Sequence, residues 1–462
     1  MNGLRRELFW QLTAGLSVVL WALGAGAATP VSFIRDVAPV FVKQCQGCHG
    51  AEKQKGKYRL DSFERLMKAG ESKDAPVVAG KPGASAIYRL ITAKDEDDRM
   101  PQKADPLPAA QVTLLRQWIE EGANFDGTDA AAPLVSIVKD EEHAAPPEVY
   151  RQPVAVTALA FSPDGKQLAV SGYHEVTLWD PADGKLVGRI QKLAERTTGL
   201  SYSPDGKWLA IAGGTPGTLG EVRLCDAASP DAAGTVLERI GDVMLAVRFS
   251  PDGTRLAAGG ADNAIRIYNV KSGKRELLIE QHADWVTDLA FSPDGLQLAS
   301  ASRDKSARIF DAKTGAMHAA FLLHEEPVFG VAWDAAGKNV FSAGRDRKVR
   351  VWNVSDAKPV GDITGFPAEP FHIEASADGM LFCSCADGVV RQYSQEKREL
   401  VRAYPKAPEW VYSVAVDAKN RRLAAGCYNG EVRVWNTDDG KAVSAFVAAP
   451  GYVGKATPPT SP

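Results

Sequence analysis

One short turn recurs through the later part of this 462-residue chain, and it limits what the chain can fold into. FSPDG occurs at Phe161 to Gly165, Phe249 to Gly253 and Phe291 to Gly295, and YSPDG at Tyr202 to Gly206. Weaker copies are DAAG at Asp334 to Gly337, SADG at Ser376 to Gly379 and DAKN at Asp417 to Asn420. An alternating apolar run such as VTALAF or VTDLAF precedes each turn, and a second run such as LAVSG or LASAS follows it. A third run then ends at Trp179, Cys225, Tyr268, Phe310, Trp352, Tyr393 or Trp435. The glycines at 253, 295, 337 and 379 stand 42 residues apart, and the longer gap from Gly206 to Gly253 goes with an inserted TPGTLG. Four short strands per copy at this period predict a β-propeller, because one copy cannot bury both faces of its own sheet and a closed ring can. Seven copies predict seven four-stranded blades over residues 154–447, the last completed by its own KAVSAFV at Lys441 to Val447.

The residues that carry this pattern, FSPDG, LASASRDKSARIFD and RVWN at Arg350 to Asn353, resemble the WD repeat family. The resemblance covers about residues 154–447 and is strongest in the third to fifth copies. His282, Asp304 and Phe310 in one copy are matched by His324, Asp346 and Trp352 in the next. Recurrence at one period points to a hydrogen-bonded network that ties a loop to its sheet, with a catalytic or metal-binding set as the alternative. Cys225, Cys383, Cys385 and Cys427 read as small buried apolar residues, with a disulfide or metal site as the alternative.

The chain opens as a targeting segment. Arg5 and Arg6 precede an apolar stretch from Leu12 to Leu23 and the small residues Gly24 to Ala28. This order predicts a secretory signal over residues 1–28, with an uncleaved membrane anchor as the alternative. No other segment is long and apolar enough to span a bilayer, which needs about 20 such residues. Residues 29–127 read as helical, and 128–153, rich in Ala and Pro, as a linker in which Leu134 to Val138 is a weak candidate for an added strand. Asp36 is the expected cap of a first helix with Pro39 in its first turn. Ser85 is the expected cap of a second helix carrying Ile87, Leu90 and Ile91. A third runs from Pro108 to Glu121, with Val112, Leu115, Trp118 and Ile119 on one side and Gly122 as its stop. Residues 448–462 read as a disordered tail.

The first of these helices runs into Cys45-Gln46-Gly47-Cys48-His49. Two thiols three apart with His directly after the second have the spacing of covalent haem attachment, the thiols meeting two vinyl groups and the imidazole the iron. Zinc needs about four ligands, and no second Cys pair or nearby His pair lies in this unit. A thioredoxin-like pair needs a βαβ setting. A disulfide remains chemically possible in an exported chain but closes a very short loop. A low-spin carrier also needs a sixth ligand. Met67, in RLDSFERLMKAG, has the spacing of a core residue, whereas Met100, in the loop DDRMPQ, is free to face a metal; open iron is the remaining case.

The match extends further. IRDVAPVFVKQCQGCHG, YRLDSFERLMKAG, VVAGKPGASAIYRLI and RMPQKADPLPAAQVTLLRQWIEEGA are similar to the c-type cytochrome domain of planctomycetes, often fused to WD repeats. The resemblance covers about residues 31–125. It implies one covalent haem c on Cys45 and Cys48, with His49 and Met100 as axial ligands. Arg89 and Arg99 are candidate partners for the haem carboxylates. Asp95 to Asp98 reads as a solvated acidic loop, with docking of a basic partner as the alternative.

The fold class expected is therefore multidomain: a small all-α cytochrome followed by an all-β seven-bladed WD-type propeller. The function expected is one-electron transfer, with the propeller binding a redox partner protein, in the periplasm or another extracytoplasmic compartment. An electron carrier and interaction protein is favoured over an enzyme. A redox enzyme with a substrate site on the propeller and a haem-bearing scaffold or sensor are the alternatives. A net charge of −3 offers no reason to expect nucleic acid.

Overall fold

The computed structural model describes residues 30–453, apart from 51, 52, 103, 139–142, 230, 231 and 233. The expected signal segment and residues 454–462 of the expected tail lie outside the described residues.

The N-terminal unit is a set of short helices. A π-helical turn, Phe33–Val37, runs into α1 (Ala38–Gln44), and α2 (Gln46–His49), α3 (Phe63–Leu66), α4 (Ala86–Ile91), α5 (Ala109–Glu120) and α6 (Leu134–Ile137) follow. Helix formation starts one turn earlier than the expected cap at Asp36. Ser32 Oγ accepts from Arg35 N at 3.0 Å, and Asp36 Oδ2 accepts from Ser32 N at 2.9 Å. The two ends satisfy each other's free N–H groups. The earlier start places Phe33 inside the core, where its ring lies 4.9 Å from Phe63, 5.4 Å from Trp118 and 5.7 Å from Phe125. Ser85 precedes α4, but its hydroxyl donates to Lys81 O at 3.0 Å and accepts from Val78 N at 2.8 Å. It therefore holds the preceding turn and makes no side-chain cap. Helix α5 buries Leu115, Trp118 and Ile119, and the chain turns away through Gly122 at φ +105°. Residues 134–137 fall in the expected linker. There they form α6, which buries Leu134 and Val135 in this same core.

The C-terminal unit is all β. Its strands form five separate four-stranded antiparallel sheets, spanning residues 244–279, 286–321, 328–363, 370–403 and 411–447. The remaining seven strands, β1 (Leu159–Phe161), β2 (Leu168–Ser171), β3 (Tyr173–Trp179), β4 (Leu186–Tyr202), β5 (Trp208–Thr215), β6 (Leu219–Asp226) and β7 (Thr235–Ile240), form one continuous sheet. The expectation of seven separate four-stranded blades is thereby overturned: five such blades stand beside one seven-stranded sheet. The cause is β4. Its first part pairs with β3, from Trp179↔Leu186 to Glu175↔Gln191 and, past a register shift, at Tyr173↔Arg196, and its last part with β5, from Arg196↔Gly214 to Tyr202↔Leu209. Arg196 pairs with Tyr173 on β3 and with Gly214 on β5, so β4 stays in the sheet across its change of partner.

The recurrent turn has a local cause. In each SPDG the serine hydroxyl donates to the aspartate two residues on, at 2.7 Å for Ser162–Asp164 and 2.6 Å for Ser203–Asp205 and Ser292–Asp294. The glycine that follows has φ near +70° (Gly165 +70°, Gly253 +69°, Gly295 +70°), a left-handed conformation that side chains resist. The last sheet closes against the first strands: Val156 N donates to Cys427 O at 3.0 Å, and the Trp179 and Phe446 rings stack at 4.6 Å. Ala448 and Ala449, the first residues of the expected tail, are buried, and Pro450 O accepts from Tyr150 N at 3.0 Å.

The His/Asp pairs sit in loop-to-sheet networks. His282 Nδ1 lies 2.8 Å from Asp304 Oδ2 and Nε2 2.7 Å from Ser300 Oγ. His324 Nε2 lies 2.7 Å from Ser342 Oγ, which also accepts from Trp352 Nε1 at 3.2 Å. Burial pushes the Asp304 carboxyl up, but hydrogen bonds from His282, Ser306 and Ala283 N–H outweigh it and hold it far below the usual carboxylate range. Asp304→Ala should therefore lower the unfolding free energy by about 2–3 kcal/mol, read in urea. A depressed carboxylate stabilises above its unfolded pKa, so the gap between wild type and variant should narrow below about pH 4 and close as pH falls through the folded value.

Candidate metal centre

The CQGCH segment forms because α1 ends at Cys45 and the chain restarts as one turn of helix. Cys45 N donates to Phe41 O at 3.0 Å, and His49 N to Cys45 O at 3.0 Å. That turn places Cys45 and His49 on one side. His49 O then accepts from Leu60 N at 2.9 Å, which ties the turn to the strand-like segment after it. Cys45 and Cys48 are both half-buried free thiols. Burial, with the Cys48 sulfur adding to it, pushes the Cys45 thiol up to about 12.

The His49 imidazole has its Nδ1 3.3 Å from Tyr58 O. A carbonyl can only accept, so this contact favours the proton on Nδ1, the tautomer in which Nε2 carries the lone pair. Burial lowers the His49 pKa, with the Tyr58 and Lys55 backbone opposing, so the ring is neutral at neutral pH, the form that binds metals. The Tyr58 ring packs 5.5 Å from the imidazole, and its hydroxyl donates to Leu66 O at 2.9 Å.

Met100 comes from the loop after α4. Its N–H donates to Leu90 O at 3.1 Å, which fixes the loop after α4, and its half-buried side chain packs on the core. Cys45, His49 and Met100 line one cavity of about 380 Å³, walled by Phe41, Ile87, Leu90 and Ile91. Cys48 is not among its lining residues. The donors present (a thiol, a neutral imidazole and a thioether against an apolar wall) suit a haem with soft and imidazole ligands. Among the described residues no group of three or more His, Cys, Asp or Glu could hold a metal ion, so the zinc alternative lacks ligands.

The other candidate residues lie as follows. Met67 ends α3 and packs on the core. Arg89 pairs with Asp74 at 2.7 Å. Arg99 reaches Glu96 at 3.4 Å, and its Nε is buried with no hydrogen-bond partner among the described residues. Residues 95–98 are exposed. In the propeller, Cys225, Cys383, Cys385 and Cys427 are all buried free thiols, and burial pushes Cys385 up to about 11 and Cys225 and Cys427 up to about 12.

Sequence reasoning missed that the cysteine loop also touches the propeller. Gln46, between the two cysteines, is 5% exposed, and a Cβ at Gly241 would stand 3.1 Å from its Nε2. His143, in the expected linker, has Nε2 3.0 Å from Glu221 Oε2 on β6. The two glycines beside this contact, Gly47 and Gly241, were the available signal.

Comparison with known proteins agrees with this division. Residues 45–103 match the family model described as Planctomycete cytochrome C. Residues 148–180, 240–269, 273–311, 318–353 and 398–436 match the model described as WD domain, G-beta repeat. The chain joins a planctomycete-type cytochrome c segment to WD repeats. A stretch of 62 residues is 39% identical to THO complex subunit 6 of Drosophila melanogaster. It covers 13% of this chain and 17% of that protein, so the chain spans less than a fifth of that relative's length.

Gly70 lines the cavity, and a Cβ there would stand 2.7 Å from Gly56 O and 2.8 Å from Tyr58 Cβ. Gly70→Ala must therefore displace the segment that orients His49. It should cost about 1–3 kcal/mol in thermal unfolding of the full chain.

Proposed function

We propose that this chain is an electron carrier bearing one haem c. The haem is linked by thioethers to Cys45 and Cys48, with His49 and Met100 on its iron, and the propeller holds a redox partner protein in an extracytoplasmic compartment. The observation that carries the reading is that Cys45, His49 and Met100, from segments about 50 residues apart, line one apolar cavity. Bound there, haem supplies a one-electron iron couple. Tyr58 O orients His49 and sharpens its basicity as a ligand. The Leu90 carbonyl pins the Met100 backbone, so the thioether is delivered to the cavity rather than left on a loose loop. Phe41, Ile87, Leu90 and Ile91 give the cavity an apolar wall, and an apolar surround favours the less charged, reduced state and raises the potential. Arg99, with its unsatisfied Nε, is a cation available to the haem carboxylates. Contact of Gln46 and His143 with the propeller supports a role for the propeller in positioning the carrier.

Two variants test this. The wild-type chain should retain haem through a denaturing gel, and Cys45→Ala with Cys48→Ala should lose it; retention would refute the linkage. Met100→Ala should keep the haem but lower its reduction potential, since a thioether ligand stabilises the reduced iron. An unchanged potential would remove Met100 from the iron.

A further inference from the structure

The innermost strands of the propeller face a central channel, and its interior is not inert. Positions 248, 290, 332, 374 and 416, each 42 residues after the last, read Arg, Ala, Ala, Glu and Val. Arg248 reaches across the channel: one Nη lies 3.2 Å from Asp288 Oδ1 and 2.9 Å from His372 Nε2. This bar separates a space of about 120 Å³ on the Phe329, Phe371 and Tyr412 side from one of about 460 Å³ on the other. The small side chains of Ala290 and Ala332 leave the larger space open.

The charges in the larger cavity do not balance. Among the described residues Arg248 is its one Lys or Arg, and it is already paired with Asp288. Asp288 is in turn held by Leu289 N at 2.9 Å and Val331 N at 3.1 Å. Burial lowers the His372 pKa to about 4, against Asp288, so the imidazole is neutral and adds no positive charge. Asp334 accepts from Lys338 N and from Asn339 Nδ2, both at 2.7 Å, within its own turn. Glu374 is the carboxyl left without a cationic partner, held by the Val416 N–H alone among the described residues. Burial, with the Asp288 charge adding to it, pushes it up to about 7, although Arg248 and the Val416 N–H pull the other way. A carboxyl that keeps its proton so far is short of a positive partner. Tyr202 and Trp333 line the same cavity. A divalent metal would need several oxygen ligands and would meet Arg248, so it does not suit the site. An ammonium group needs one carboxylate, and aromatic walls favour it.

We propose that this channel cavity binds a small organic amine, its ammonium on Glu374 and its apolar body against Tyr202 and Trp333. The site lies wholly in the propeller and stands independently of the haem reading. The test is calorimetric titration of the full-length haem-loaded protein with phenethylamine, and with 3-phenylpropionate as the anionic counterpart. Phenethylamine should bind at one site and 3-phenylpropionate should not. Glu374→Gln should weaken the amine roughly tenfold or more, a loss of about 1.4 kcal/mol. Ala332→Leu, a larger side chain at a position lining the cavity, should also block it and decides the matter if Glu374→Gln does not fold. Arg248→Met should retain amine binding. The proposal falls if no amine binds, if binding survives both Glu374→Gln and Ala332→Leu, or if the carboxylate binds instead and loses affinity in Arg248→Met.

Discussion

The inner strands of the propeller sheets are buried on both faces, so each sheet must be covered by a neighbour. That constraint organises most of the molecule. In one inter-sheet core, Phe321, Val328, Val331, Trp333 and Trp352 come from adjacent sheets and are each at most 5% exposed. The Phe321 and Trp352 rings stack at 5.4 Å within it. A chain of such sheets has two uncovered faces until it closes, and closure here is made by the Trp179–Phe446 stack and by the backbone bond from Val156 to Cys427. Burying an aromatic of this size contributes roughly 2–3 kcal/mol, so the ring is held mainly by its faces and less by surface ion pairs. A rigid closed ring can then carry a costly channel such as the one crossed by Arg248.

The helical unit works differently, since it has short helices and a small core. Phe33 and Trp118 fill its centre, and α6 completes it from beyond the expected boundary. The cavity at Cys45, His49 and Met100 is a gap in that core, lined by groups that suit a large flat apolar ligand. A small domain with such a gap gains stability from whatever fills it. Haem binding and the folding of this unit are therefore linked in the proposed reading.

Much of this was legible in the sequence, for physical reasons that differ by feature. The SPDG turns could be read because Ser, Asp and Gly each do one local job, and the His/Asp networks because they recur at the same period. The joined sheet could not be read from the repeat: it depends on Arg196 pairing with both neighbouring strands, which a count of turns does not see. The cap at Ser32 was missed because Asp36 is an equally good cap by type, and the burial of Phe33 decided between them. Cys45, His49 and Met100 were singled out from spacing and loop position, and the structure brings them to one cavity while Cys48 stands outside its lining. The Arg248, Asp288, His372 and Glu374 cluster was invisible, because its members come from strands up to 126 residues apart that meet only when the ring closes.

Iron-edge X-ray absorption of the purified full-length protein tests the central claim most directly. The account expects iron bound by four porphyrin nitrogens, one imidazole nitrogen and one thioether sulfur, with the sulfur contribution lost in Met100→Ala. Iron with no sulfur neighbour in the wild-type protein, or no iron at all, would contradict it.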